Sequence, residues 1–550
     1  MTDLPTEIAA LRVVANARSS VLDYFVPLLG DADDVVRVAA CIALIERNAL
    51  RWTEYEAVLA LTTHGAVKTA AFRYFQSIWE HALAGRALAG KSEPETAAEN
   101  ELMQARLRAD DASCAQAWRR LYLATGTPQA LVREYEHLYK AGGAQLALPV
   151  AVRNLLINPH DPLNAYRLLH DCIDMRRTDL IAEIGRLLTA ADLHPRILAV
   201  FSAWASLVDG NPAEAQQRLR RAAAMRPAPA SIAPRLIETA QRLNADILDA
   251  LGEYRAAYAA YLDLTKLART DLPDLGSLKR RMTSVANIDV PALPPEDRRN
   301  WITMTGFPRS GTTLLENALA RHPMIETFEE MPTRAAMQLY LDRELPHAGK
   351  GADRVGLFVE ARKRYFGEME RRRRKVGASV FIDKSPLRSA DAGFMVKAFP
   401  DQRYIFSIRH PYDVVLSCFK QAFAPNMSME IFRTFENAVG FYDFTMTQWF
   451  GAYRMDDPNI HYLRYDDLVT DFEARMKAAL NFLGLGWDRA VLDFADAAKT
   501  RASATPSYQK VRQGLSIGVQ SSWRNYGFLF QSDAARPLRQ WVERFGYGLE

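Results

Sequence analysis

One stretch of the 550-residue sequence gathers residue types that converge on anion chemistry: WITMTGFPRSGTTLLENALARHP, Trp301 to Pro323. Its first five residues are apolar or β-branched and predict a buried strand. Gly306, Pro308 and Gly311 interrupt the pattern, and Thr312 and Thr313 open a helical run with Leu314, Leu315, Ala318 and Leu319 on it. The free N–H groups of a first helical turn, the positive end of the dipole, two hydroxyls and the Arg309 guanidinium would all point at one phosphate. Gly306 and Gly311 have the spacing of a nucleoside-triphosphate loop, yet Thr312 stands where that loop carries the Lys that reaches the β- and γ-phosphates. A loop with an Arg and no such Lys suits a 5′-phosphate ester held without a triphosphate or a metal.

Two more segments are built the same way. QRYIFSIRHPYDVVLSCFKQAF, Gln402 to Phe423, predicts a strand through Tyr404, Ile405, Phe406 and Ile408, a turn, and a helix opened by Pro411. Arg409 falls at the strand end and Ser417 two helical turns later. ASVFIDKSP, Ala378 to Pro386, predicts a strand running into Asp383 and Lys384. Taken alone, each charged residue is most simply a solvated one. Placed together at successive strand ends of an α/β sheet, where open sheets bind ligands, they read as a nucleotide site. Glu329 and Glu330 follow the first helix, and Pro332 biases Met331 towards an extended backbone, so the pair is expected in a loop.

The segment Pro308-Arg309-Ser310-Gly311-Thr312-Thr313 resembles the 5′-phosphosulfate loop of sulfotransferases that use 3′-phosphoadenosine 5′-phosphosulfate (PAPS), and most resembles the tyrosylprotein sulfotransferase-like branch. The resemblance covers roughly Trp301 to Glu550. It implies that Arg409 and Ser417 clamp the 3′-phosphate, that Lys384 faces the transferring sulfuryl group, and that Thr505 to Tyr526 closes over the nucleotide. From that closing segment, Ser507 is expected to bond the leaving phosphate, and Arg512 and Arg524 are further candidates for the 3′-phosphate. The second of two consecutive carboxylates is the family's base, which here is Glu330 with Glu329 as its neighbour. Phe328 departs from the pattern, since a Gly precedes the pair in the family, and this bears on acceptor shape. His322, a rival base by residue type, fits better as a helix-end contact.

The implied reaction is in-line displacement at sulfur by an acceptor hydroxyl, with PAPS as co-substrate, Glu330 as base, and Lys384 and Arg309 neutralising charge. No metal is expected, because the sequence shows no His/Cys/Asp cluster at ligand spacing. Peptide tyrosine, a carbohydrate hydroxyl and a small phenol all satisfy such a site. The competing readings are a helical scaffold with an inactive transferase domain, and a phosphate-loop kinase, against which the missing Lys argues.

The elements before this region are of another kind. Residues 1–290 read as an all-α solenoid of tetratricopeptide type, with an α/β sulfotransferase domain on a central parallel sheet over 296–550. The clearest unit is Gly210-Asn211-Pro212-Ala213-Glu214-Ala215 with Leu219, Ala222 and Pro227; a second starts at Gly252, and a weaker one at Gly126 with Leu131, Tyr135 and Leu138. The step from Gly210 to Gly252 exceeds the 34-residue ideal, so the array is irregular. Residues 1–90 are expected to be helical without a repeat template, and Lys91 to Asn100 to be a polar break. A proline-dense connector, Val290 to Asp297, joins the two parts. The solenoid is expected to offer a surface to a protein or peptide partner.

A net charge of +4 with pI ≈ 8.7 is too mild for general nucleic-acid binding, and Arg371 to Lys375 is expected to be the solvated face of a helix. Cys41, Cys114, Cys172 and Cys418 show no pairing or metal spacing and are expected as thiols. No apolar run approaches membrane-spanning length, which leads to the expectation of a cytoplasmic enzyme.

Overall fold

The computed structural model describes residues 111–494 and 521–549 apart from 126–127, 158–160, 188–193, 268–273, 296–297, 349–351 and 422–428, with Ala98, Glu101, Leu102 and Ala105 before them. The expectations for residues 1–90, for most of Lys91 to Asn100, for Gly126, and for Ser507 and Arg512 lie outside the described residues. The chain forms two compact units, residues 1–260 with 501–504, and residues 261–500 with 505–550.

The first unit is helical throughout its described residues. Its helices are α1 (Asp111–Thr125), α2 (Pro128–Ile157), α3 (Pro162–Asp174), α4 (Thr178–Leu187), α5 (Pro195–Val208), α6 (Pro212–Ala224), α7 (Ala233–Ala250) and α8 (Tyr254–Asp263). Proline stands in the first turn of α3, α5, α6 and α7, where its missing N–H costs nothing. Three hairpins, α3/α4, α5/α6 and α7/α8, turn through a left-handed residue at Arg176, Gly210 and Gly252. At each, the next amide bonds back into the helix: Arg177 N to Cys172 O at 2.8 Å, Asn211 N to Ser206 O at 2.8 Å and Glu253 N to Leu248 O at 2.9 Å. Leu168, Leu169, Ile181, Ile197, Phe201, Leu219, Leu236 and Ile247 form one continuous core across these helices.

The second unit is built on five parallel strands in the order β2-β3-β1-β4-β5: β1 (Trp301–Thr305), β2 (Ile325–Glu329), β3 (Val380–Lys384), β4 (Arg403–Ile408) and β5 (Ile460–Arg464). The inner strands β1 and β3 are buried at every residue, as a sheet covered on both faces requires. One face packs α10 (Thr312–Ala320) and, later in the chain, residues 472–483, through Leu315, Leu319, Met476 and Leu480 against Ile302, Ile382 and Ile405. The other packs α11 (Thr333–Glu344), α12 (Ala352–Glu370) and α13 (Ala392–Ala398) through Met337, Phe358, Phe366 and Phe394 against Trp301 and Phe381. The helix α9 (Leu275–Ala286) belongs to this unit: Lys397 Nζ donates to Ala286 O at 2.8 Å, and Ile288, Val290 and Leu293 join the second core.

Two expectations are corrected. Arg371 to Lys375 lies beyond α12 rather than on it, because the helix ends at Glu370 and the chain must return to β3. Within it, Lys375 Nζ bonds the carbonyls of Ala320, His322 and Ile325 at 2.7–3.0 Å, satisfying the end of α10. Glu329 is the last residue of β2 rather than a loop residue, since the ladder to β3 extends as far as Glu330 N, which donates to Lys384 O at 2.8 Å.

Candidate functional site

The carboxyl ends of the five strands bring the charged residues together. After β1, the loop Gly306 to Gly311 runs close to its neighbours: a Cβ on Gly306 would lie 2.6 Å from the Ser407 carbonyl, and one on Gly311 2.4 Å from the Tyr465 ring. Gly311 has φ +97°, which only glycine adopts freely. Ser310 is buried, its carbonyl accepting from Ser407 Oγ at 2.7 Å, and Thr312 and Thr313 are buried at the start of α10. Cys418 Sγ donates to Pro308 O at 3.3 Å, and burial pushes its thiol up.

Arg309 itself has φ +71°, a left-handed conformation that costs a non-glycine residue roughly 1–2 kcal/mol. Its Nε donates to Ser417 Oγ at 3.0 Å, across from β1 to α14 (Pro411–Lys420). Arg409 follows β4, its Nη1 reaching the Arg309 carbonyl at 3.5 Å and its guanidinium lying 4.8 Å above the Tyr465 ring. Burial first, and Arg409 among its neighbours, push the Arg309 guanidinium below its ordinary value. An anionic ligand between the two arginines would reverse that.

Lys384 ends β3 with its side chain fully buried. Its Nζ lies 3.0 Å from Glu330 Oε1, 3.1 Å from Glu329 Oε1 and 3.6 Å from Glu316 Oε2. Burial would push the ammonium down; Glu316, Glu329 and Glu330 outweigh it and hold it above the usual lysine range. Glu330, with φ +48°, is another non-glycine residue in the left-handed region. Beneath them, Asp383 accepts from Tyr365 Oη at 2.6 Å and from Thr333 Oγ1 at 3.0 Å, and burial raises its carboxyl. Phe328 is buried and stacks on Trp301 at 6.4 Å, so its bulk enters the core.

His322 has both ring nitrogens engaged. Met324 N donates to Nδ1 at 3.2 Å, which leaves Nε2 to donate to Gly486 O at 3.1 Å. Arg524 is exposed and stacks on Trp523 at 5.3 Å, next to His410, whose own ring stacks on Trp523. The stretch before it is tied to α14 by Asp413, which accepts from Ser521 N at 3.1 Å, Ser522 Oγ at 3.1 Å and Trp523 N at 3.3 Å.

Residues 302–489 match a protein-family model described as Sulfotransferase family. The matched segment contains Arg309, Glu330, Lys384, Arg409 and Ser417, while Ser507, Arg512 and Arg524 lie beyond it. An uncharacterised protein of Aquifex aeolicus (strain VF5) is 26% identical over 243 residues, 41% of this chain and 30% of that protein, so the chain spans about a third of that relative's length. Among solved structures, the sulfotransferase domain of the Synechococcus PCC 7002 olefin synthase is 20% identical and aligns with 48% of this chain and 99% of that one, at a TM-score of 0.33. A sulfotransferase of Mycobacterium avium is 15% identical over 64% and 92% of the two chains, with a TM-score of 0.28. A mouse sulfotransferase in complex with PAP is 15% identical over 48% and 88%, with a TM-score of 0.30. No described helix is long and apolar enough to cross a membrane, and no group of metal-binding side chains occurs among the described residues.

Glu316, Asp413 and Tyr465 were not singled out by sequence, yet each touches a candidate site residue. Glu316 and Asp413 carried a readable signal. Each is the one acid in an otherwise largely apolar helical run, Thr312 to Leu319 and Pro411 to Phe419, and both runs are buried along nearly their whole length.

Proposed function

We propose that residues 296–550 act as a PAPS-dependent sulfotransferase, moving a sulfuryl group to an acceptor hydroxyl by in-line displacement. The observation that carries this reading is the joint placement of Arg309, Glu330, Lys384 and Arg409 at four adjacent strand ends, with Ser417 on the helix that follows β4, all within the family-matched segment. Arg409 and Ser417 hold the 3′-phosphate, and the backbone of Pro308 to Thr313 with Arg309 holds the 5′-phosphosulfate. The acceptor oxygen bonds to sulfur as the bond from sulfur to the bridging phosphate oxygen breaks. The acceptor proton passes to Glu330, and the charge left on the phosphate is met by Lys384 and Arg309. Lys384 Nζ donates to Glu330 Oε1 at 3.0 Å, so the base and the charge-neutralising ammonium stand side by side throughout the transfer. Ser507, Arg512 and Arg524 are proposed to close over the nucleotide from the carboxyl-terminal side.

The first unit, residues 1–260, is proposed to carry a tetratricopeptide-like surface that selects the acceptor or a protein partner. The test of the whole reading is transfer of labelled sulfate from PAPS into a fractionated lysate without added Mg²⁺, with identification of the labelled species. A labelled hydroxyl product supports it; phosphate transfer from ATP in its place overturns it. A form beginning at Tyr261, which keeps the helix Leu275–Ala286 with its sheet, then tests the surface. Weaker acceptor binding with unchanged nucleotide binding supports a recognition role, and identical kinetics remove it.

A further inference from the structure

Lys384 is surrounded by more negative charge than the proposed transfer uses. Of the carboxylates of Glu316, Glu329 and Glu330 around its Nζ, only Glu330 has a task in the chemistry. Glu329 and Glu330 sit at the open end of β2 with side chains 21% and 46% exposed, whereas the Glu316 side chain is fully buried on α10, one turn after the anion loop. Thr327 Oγ1 on β2 donates to Glu316 Oε1 at 3.2 Å, fixing the carboxylate where it stands. The other charges nearby come from Asp383 on the same strand, which is bonded to Tyr365 and Thr333, and from Arg388, bonded to Thr333 and Asp391. Although Glu316 is the most distant of the three, both its side chain and that of Lys384 are fully buried, so its charge is the least screened.

We infer that Glu316 is a positioning residue for sulfuryl transfer, a fixed counter-charge that keeps Lys384 protonated and in place while Glu330 changes its own charge. This rests on Glu330 being the base. As Glu330 takes the acceptor proton it becomes neutral, and its hold on Lys384 falls at the moment negative charge gathers on the sulfuryl oxygens. Glu316 keeps its charge throughout, so Lys384 retains all three protons and stays at the strand end. Glu316 touches neither donor nor acceptor in this arrangement. It stands behind the ammonium, on the helix that starts at the phosphate loop, and so links the position of the bound nucleotide to that of the lysine.

The experiment uses the full-length protein with Glu316→Gln and Glu316→Asp. One arm needs no transferase activity: acetic anhydride modification of Lys384 at pH 9, read by mass spectrometry against Lys375 and Lys397. With the counter-charge removed, Glu316→Gln should be modified about fivefold faster at Lys384 and unchanged at the two reference lysines, while Glu316→Asp stays close to the parent. A merely structural role would speed Lys384 in both variants, because either one loosens its buried site, or in neither, and either result overturns the inference. The second arm measures consumption of sulfur-labelled PAPS in single turnover beside calorimetry with 3′-phosphoadenosine 5′-phosphate. Glu316→Gln should lose about tenfold or more in rate with nucleotide affinity held within about threefold, and Glu316→Asp should recover part of the rate. An unchanged rate, or a loss confined to affinity, overturns it. A parent protein that binds no nucleotide would count against the PAPS reading, while the modification arm still decides whether Glu316 holds Lys384.

Discussion

The two units use the left-handed backbone for opposite purposes. In the helical unit, Arg176, Gly210 and Gly252 turn the chain at the same place in three successive hairpins, and the amide after each returns to its helix. Among the described residues of the sheet unit, the non-glycine residues with positive φ are Arg309, Glu330 and Ser521, two of them charged residues at strand ends and the third a partner of Asp413 beside Arg409. The first use is a cap whose side chain is immaterial, since only backbone atoms take part. The second fixes where a particular side chain points, and strain of this kind persists only where the surroundings over-determine it. The difference teaches that a strained residue is informative when its side chain, rather than its amide, is what the conformation delivers.

Substitutions break or sharpen that contrast. The largest effect is expected at the strand ends: Glu330→Gln should lower turnover by about 10²–10⁴ with nucleotide affinity nearly unchanged, and Glu329→Gln should do much less. Single-turnover rates in the reverse order would move the base by one residue. Next, Arg409→Ala and Ser417→Ala should weaken 3′-phosphoadenosine 5′-phosphate by about 1.5–3 kcal/mol and AMP far less. Calorimetry giving equal losses for both nucleotides would remove the 3′-phosphate assignment.

In the helical unit, Gly210→Ala and Gly252→Ala should each lose roughly 1–2 kcal/mol in urea unfolding, because a Cβ is placed in the left-handed region, while nucleotide binding stays as it was. Neither glycine has an atom near its would-be Cβ closer than 3.9 Å, so the cost is conformational rather than a clash. The smallest and sharpest pair is Arg176→Gly against Arg309→Gly. Both relieve a left-handed non-glycine residue and should gain up to about 1 kcal/mol of stability, yet only Arg309→Gly should abolish nucleotide binding. Loss of nucleotide binding in both would mean that the contrast between the units is false.

Three strands of the sheet unit, β1, β3 and β4, were legible in advance because each is a short apolar run with a glycine or proline just beyond it, and the strand ends mark where the next residues must emerge; β2, with three polar residues in five, and β5, with no glycine or proline after it, were not. Arg309, Lys384 and Arg409 could be placed at those ends from pattern alone. The hairpin turn at Arg176 was not legible, although it precedes Gly210 by 34 residues, the period expected of such repeats. An arginine there carries no turn signal, and the array was therefore read from Gly126, Gly210 and Gly252 alone.

Periodicity, glycine spacing and the order of strand, turn and helix determined which residues would stand at strand ends and that a helical region precedes them. These are local consequences of side-chain shape and backbone sterics. Which charges would meet was decided only by the sheet order β2-β3-β1-β4-β5, which sets Glu330 and Lys384 side by side across 54 residues and Arg309 against Ser417 across 108. Glu316 shows this most plainly. In sequence it is one acid among leucines, and its meaning comes from the crossing of α10 over β2 and β3, where a buried carboxylate and a buried ammonium stabilise each other only because the fold brings them together.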